Sequence, residues 1–224
     1  MTILPFLMVG MLYLAVSSQT LAFRDVHDPK LRQILPPLVT AEIVERDVRQ
    51  PLFYPDDPVT KGQLAFWLVR VRNLPFSEPE MGRFPDIPKG YKAFREIEAA
   101  ASREWLTGHE DGNFQPDASI SREEFAKFLC LVLDHRYDAR SWKQEDIARN
   151  LKVGVWSFKD EALISGSFRP WVALALKLQL LEPAFGVNPF HIEEEKTYLH
   201  PQRPVSRGEA IKIIVQLFLP ERQN

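Results

Sequence analysis

Residues 105–133 read WLTGHEDGNFQPDASISREEFAKFLCLVL, and the rest of the chain is organised around them. The first half reads as a turn, because Gly108 and Asp111-Gly112 supply positive φ and Pro116 fixes its own φ. The second half reads as a helix with a marked start. Ser121 and Glu124 form a capping box: the hydroxyl accepts from the amide of 124, and the carboxylate accepts from the amide of 121. Ile120 and Phe125 flank the cap as a hydrophobic staple. Phe125, Phe128, Leu129, Val132 and Leu133 follow at helical spacing and define one buried face.

The same device occurs twice more, as Val59-Thr60-Lys61-Gly62-Gln63-Leu64 and as Val205-Ser206-Arg207-Gly208-Glu209-Ala210. Each copy also has an opening signal, F-x-D, at Phe23-Arg24-Asp25, Phe84-Pro85-Asp86 and Phe158-Lys159-Asp160. Phe23 and Phe84, Phe53 and Phe114, and Lys61 and Arg122 all stand 61 positions apart, so the first two copies keep one register. The third is longer: Phe84 to Phe158 is 74 positions, but Arg122 to Arg207 is 85. About eleven residues are therefore inserted, and residues 185–198 are the expected place. Three copies of one unit make an internal repeat, and a helix pair that cannot bury its apolar face alone must pack on its neighbours.

The order F-x-D, amphipathic helix, G-x-x-D-G-x-F-x-P-D, then [IV]-[ST]-R-x-E and a second helix resembles the S-layer homology repeat. The middle copy carries the resemblance most fully, at Phe84, Asp86, Gly108, Asp111, Gly112, Phe114, Pro116, Asp117, Ser121, Arg122 and Glu124. The resemblance implies an all-α fold of three helix-loop-helix repeats packed with pseudo-threefold symmetry around a shared helical core. It divides the chain into repeat one (23–76), repeat two (80–140), a linker helix (141–157) and repeat three (158–220). It also implies attachment to the cell envelope through wall polysaccharides, often pyruvylated, held in grooves between repeats.

Residues 1–22 read as a signal peptide, with an apolar run from Ile3 to Val16 and small residues at Thr20 and Ala22 before Phe23. Export to the cell envelope is thus expected. The ~200 residues that follow suffice for one cored domain or a compact array. With 28 basic and 30 acidic residues, bulk charge draws the chain neither to nucleic acid nor to an anionic membrane. Cys130 is the single cysteine, so no intramolecular disulfide forms, and its apolar neighbours make it a small core residue.

Helical spacing predicts first helices over 30–44, 92–105 and 171–181, with a break in the first at Pro36-Pro37. A linking helix is expected over 141–151, and no segment shows sustained strand alternation. Trp67, Trp105, Trp142, Trp156 and Trp171 lie mostly at apolar helical spacing and are expected in the core. The tryptophan that family members place at the start of the first helix is replaced here by Leu31, Lys92 and Ser167.

Lys61, Arg122 and Arg207 draw attention because each sits at the first helical residue, where the helix dipole disfavours a cation by roughly 0.3–1 kcal/mol. A recurrent choice against local stability marks a site where function overrides a folding rule. Beside helical amides, such a cation can bind a carboxylate or phosphate, or it can join a neighbouring repeat. The resemblance implies the first use, and so names Arg122, Lys61 and Arg207 as glycan contacts. It adds Gly108, Asp86, Asp25 and Asp160, which as bare residues read equally as a turn glycine and helix-start caps.

The five histidines show no metal-ligand spacing, and neither a nucleophile elbow nor a phosphate loop occurs. Asp111-Gly112-Asn113 reads as a β-turn rather than a calcium loop, and Glu193-Glu194-Glu195 as a solvated charge run. The expectation is a module without catalysis, cofactor or metal. Its partner is an anionic wall polysaccharide or another envelope glycan; the alternative is a structural or protein-binding module that has lost the glycan.

Overall fold

The structure is a computed structural model, and it describes residues 22–76, 78–153, 156–181, 184–186 and 196–219. The signal-peptide reading of 1–22 falls outside these residues except for Ala22, and Glu193-Glu194-Glu195 also lies outside them.

The fold is helical. Repeat one supplies α1 (Pro29–Thr40) and α2 (Lys61–Val71), and repeat two supplies α3 (Phe94–Ser102) and α4 (Arg122–Val132). The helix α6 (Gln144–Asn150) lies within the 141–151 stretch where a linking helix was expected, and a further short helix, α5 (Arg136–Ser141), precedes it; the backbone turns extended at Trp142 and Lys143 between them. Repeat three supplies a 3-10 turn (Glu161–Leu163), α7 (Arg169–Lys177) and α8 (Arg207–Phe218). Two antiparallel pairs accompany it, β1 (Lys152–Val153) with β2 (Trp156–Ser157) and β3 (Ala184–Gly186) with β4 (Lys196–Tyr198). Strands of two or three residues are too short to leave an alternation in the sequence.

The second helices start as their caps dictate. Thr60, Ser121 and Ser206 accept from the amides of Gln63, Glu124 and Glu209 at 3.2, 3.3 and 3.1 Å. The reciprocal bond closes the box at Thr60 and at Ser121. In the third copy the Glu209 carboxylate is paired instead with Arg122 and Arg203.

The staple residues ahead of the caps do more than fix helix entry. Val59 N donates to Val205 O at 2.9 Å, Val205 N to Ile120 O at 2.9 Å, and Ile120 N to Val59 O at 3.3 Å. All three side chains are buried. The hydrogen bonds form a closed triangle with one member from each repeat. Helix packing follows the same cycle, with α2 against α3, α4 against α7 and α8 against α1. Each second helix covers the first helix of the next repeat, and the last covers the first.

The first helices depart from expectation in two respects. The break at Pro36-Pro37 is not made, and α1 continues to Thr40. Proline inside a helix costs about 3 kcal/mol, but the face of Leu31, Ile34, Leu35 and Leu38 is buried, and burying such side chains contributes roughly 1.5–3 kcal/mol each. All three helices are also shorter than their spacing suggests. Past each end a residue adopts positive φ, at Glu42 (56°), Glu104 (55°) and Gln179 (57°). None is glycine, so the usual stop signal is missing from the sequence. Trp67, Trp105 and Trp171 are buried, as expected of core residues.

Candidate functional site

Each repeat opens on an aspartate whose carboxylate accepts from two consecutive amides. Asp25 holds Phe53 N (2.9 Å) and Tyr54 N (2.6 Å), and Asp86 holds Phe114 N (2.8 Å) and Gln115 N (2.7 Å). Asp160 holds Leu199 N (2.9 Å) and His200 N (2.6 Å). The second residue held is in each case at positive φ: Tyr54 55°, Gln115 57° and His200 52°. A left-handed non-glycine backbone is unfavourable, and the paired charge-assisted bonds offset it. The clasp also makes Leu199 the counterpart of Phe53 and Phe114, and so places the extra residues of repeat three between Asp160 and Leu199.

The three cations grip these same residues from the preceding repeat. Lys61 Nζ donates to Phe114 O at 2.9 Å and to Thr107 O at 2.6 Å. Arg122 Nε donates to Leu199 O at 2.8 Å, and its guanidinium pairs with Glu209. Arg207 Nε donates to Phe53 O at 2.8 Å. Lys61 also lies over the Phe114 ring and Arg207 over the Phe53 ring, at 4.4 and 4.9 Å from the centroids. Burial pulls both guanidinium groups below the ordinary arginine value, and it pulls the Lys61 ammonium down to about 8.

The sequence-selected residues are thus brought together at three like junctions. Arg207 and Asp25 meet around Phe53, Lys61 and Asp86 around Phe114, and Arg122 and Asp160 around Leu199. Gly108 belongs to the second of these, next to Thr107. Its use is space rather than positive φ: a Cβ there would stand 2.9 Å from the Phe84 ring and 3.1 Å from Asn113 O, whereas the positive φ of the turn (82°) belongs to Gly112.

Beside these clasps run the surfaces between repeats. The amides of Gly62, Glu123 and Gly208 donate to the carbonyls of Pro116, Pro201 and Pro55 at 2.8, 3.0 and 2.8 Å, always onto the next repeat in the cycle. Between repeats three and one the surface is hollowed into a groove of about 550 Å³, with Asp25, Lys30, Asp56, Gly208 and Lys212 among its lining. Lys212 pairs there with Asp28, the cap of α1, and this hydrogen bond holds the Asp28 carboxyl below its usual range. Lys30, Lys212 and the second helical residue were not singled out from sequence. The available signal was the variable position of [ST]-[KR]-x-[EQ], which is Gly, Glu and Gly in the three copies.

Among the described residues, no group of three or more His, Cys, Asp or Glu could hold a metal ion, and no helix is long and apolar enough to cross a membrane. Cys130 is buried against Trp171 O at 3.7 Å, and its thiol is pushed up to about 12 by desolvation.

Comparison with known proteins finds a family match for one segment of the chain. Residues 83–126 match the S-layer homology domain. The chain therefore carries an S-layer homology domain, and this domain associates it with the cell envelope. It is 27% identical over 210 residues to Exoglucanase XynX of Acetivibrio thermocellus, covering 93% of this chain and 17% of that protein. It is 26% identical over 196 residues to an amylopullulanase of Thermoanaerobacterium thermosulfurigenes, covering 87% of this chain and 9% of that protein. An endoglucanase of Bacillus sp. (strain KSM-635) is 26% identical over 165 residues, covering 74% and 15%. The chain thus spans less than a fifth of the length of each of these relatives. Among solved structures it is similar to the undecaheme cytochrome from the S-layer of Carboxydothermus ferrireducens, with TM-score 0.44 and 15% identity over 84% of this chain and 20% of that one.

Proposed function

We propose that this chain is a non-catalytic attachment module that holds to the cell envelope by binding an anionic wall polysaccharide. One observation carries the reading. Three differently named enzymes share with this chain a segment that is 9–17% of their length yet matches 74–93% of this chain. A segment common to an exoglucanase, an amylopullulanase and an endoglucanase, and so small a part of each, is an accessory to catalysis. Attachment to the wall is what such enzymes would share.

In this reading the units are repeat one (23–76), repeat two (80–140), a linker (141–157) and repeat three (158–220), arranged with pseudo-threefold symmetry. The triangle of Val59, Ile120 and Val205 and the cyclic helix packing support that arrangement. The ligand seat is the groove between repeats three and one, whose volume lies within the roughly 300–1,000 Å³ usual for small-molecule sites. Its lining holds Lys30 and Lys212 beside Asp25, Asp28, Asp56 and Glu209, and because Lys212 is paired with Asp28, Lys30 is the cation in this lining that would meet an anionic group. Asp25 belongs to its lining, and Asp25 and Arg207 together hold the Phe53 backbone; Lys61 and Asp86 hold Phe114 in the same way, beside Gly108, and Arg122 and Asp160 hold Leu199.

The inward commitment of Lys61, Arg122 and Arg207 favours a second reading, a structural or protein-binding module of the envelope without glycan affinity. Sedimentation with cell-wall sacculi, before and after wall polysaccharide is removed, separates the two. Glycan attachment predicts pelleting that disappears with the polysaccharide. A folded chain that stays in the supernatant with intact sacculi would leave the second reading.

A further inference from the structure

Repeat one differs from the other two in what precedes it. Repeats two and three open on Phe84 and Phe158 after connections that run from α2 and α4. The opening Phe23 of repeat one instead follows directly on Thr20-Leu21-Ala22, the small-residue end of the signal-peptide reading. The bond between Ala22 and Phe23 therefore joins a leader to the core with no spacer.

The four residues after this bond are all committed to the fold. Phe23 is 7% exposed, and its ring lies 5.5 Å from that of Phe53. Arg24 N donates to Pro51 O at 2.9 Å, and Asp25 holds the amides of Phe53 and Tyr54. Val26 is buried, and its carbonyl accepts from Arg32 Nε at 2.7 Å. On the other side of the bond Ala22 O accepts from Arg46 Nη2 at 3.4 Å, and the Arg46 guanidinium stands 6.0 Å over the Phe23 ring. A peptidase must draw out several residues around the bond it cuts, so buried and hydrogen-bonded flanks shield this one although it lies near a terminus. Exposing it takes Phe23 from the core and Pro51 O from Arg24 N, which leaves roughly 1% or less of folded chains open.

The shield is completed late. Phe53, on which Phe23 packs, is gripped at its carbonyl by Arg207, and α8 packs on α1. Arg207 stands 184 positions after Phe23, so repeat one lacks these contacts until almost all of the described chain has been made. Until then its apolar face has no partner on that side.

We propose that the bond between Ala22 and Phe23 is a processing site that a leader peptidase reaches before the array closes, and that docking of α8 shuts it. Hydrolysis adds water across the bond: the Ala22 carbonyl carbon takes the hydroxyl, and the Phe23 nitrogen leaves as an amine that is protonated at neutral pH. This rests on the reading of residues 1–22 as a leader and is independent of glycan binding. Cutting must come before folding, and a chain that folds first keeps its leader.

The test is digestion of the folded full chain, residues 1–224, by a purified leader peptidase in mild detergent, with the cut located by mass and the fold followed by circular dichroism. A second form carries about six Gly and Ser residues inserted between Ala22 and Phe23, a flexible spacer that moves the leader off the core. The spacer form is expected to lose its leader about 100-fold faster than the wild type. Arg207→Ala, which frees Phe53 from α8, is expected to be cut about 10-fold faster than the wild type. Equal rates for the wild type and the spacer form overturn the shield. A folded Arg207→Ala chain cut no faster than the wild type overturns the part given to α8. A spacer form that is not cut, or is cut away from Ala22, overturns the site and the leader reading with it.

Discussion

Arg207 Nε reaches Phe53 O at 2.8 Å across 154 residues of chain, and with this bond the third repeat closes on the first. Lys61 makes the same connection from repeat one to two, and Arg122 from two to three. The cation at the first helical position is therefore a fastener between repeats. That explains a residue which opposes the helix dipole: the ammonium or guanidinium is drawn off the axis to a carbonyl of the neighbouring turn.

Arg207→Ala should lower unfolding stability by about 2 kcal/mol, the worth of a hydrogen bond to a charged donor together with the unpaired Phe53 carbonyl. Arg207→Lys should lose less, because Lys61 performs the equivalent task with an ammonium. Urea denaturation provides the measurement, and equal midpoints for wild type and Arg207→Ala would contradict the fastener role.

Asp160→Ala leaves the amides of Leu199 and His200 without their acceptor, at a cost of about 1–3 kcal/mol for each one that water cannot reach. Asp160 is the most buried of the three opening aspartates, so its loss should exceed that of Asp25→Ala or Asp86→Ala. Thermal unfolding of the three variants gives the order directly, and a harmless Asp160→Ala would remove the clasp from the account.

Lys61 titrates near 8 in the folded chain and near 10.5 when unfolded. Between these values the unfolded chain binds more protons than the folded one, so this residue makes stability rise with pH across that window. Below pH 8 its desolvation cost is present in full. NMR titration of labelled lysine side chains should show the Lys61 resonance moving with a midpoint near 8, and a Lys61 still charged at pH 10 would refute the assignment.

Cys130 should resist thiol reagents at pH 8 in the native chain and react at once in denaturant, because its thiol is buried and titrates only near 12. Prompt reaction under native conditions would mean that α4 opens from its packing against α7.

Much of the fold is visible in the sequence, since its signals are local. A capping box and a staple lie within six residues, and their recurrence at Thr60, Ser121 and Ser206 marks the three second helices. The first helices were harder to bound. They end two residues before Glu42, Glu104 and Gln179, positive-φ residues with no turn signature, and α1 runs through two prolines because tertiary burial outweighs propensity. Six of the seven candidate site residues were legible as a recurring set and Gly108 as a turn residue of the middle copy, but their partners were not. Lys61 meets Phe114 and Arg207 meets Phe53 over 53 and 154 positions, distances at which no local pattern speaks.

The account stands most directly on whether the isolated chain binds wall polysaccharide when no other envelope component is present. Equilibrium titration of the purified full chain with soluble polysaccharide released from sacculi is the measurement. The account predicts saturable binding that weakens when Lys30 and Lys212 are replaced by Ala; a folded chain with no measurable affinity would contradict it.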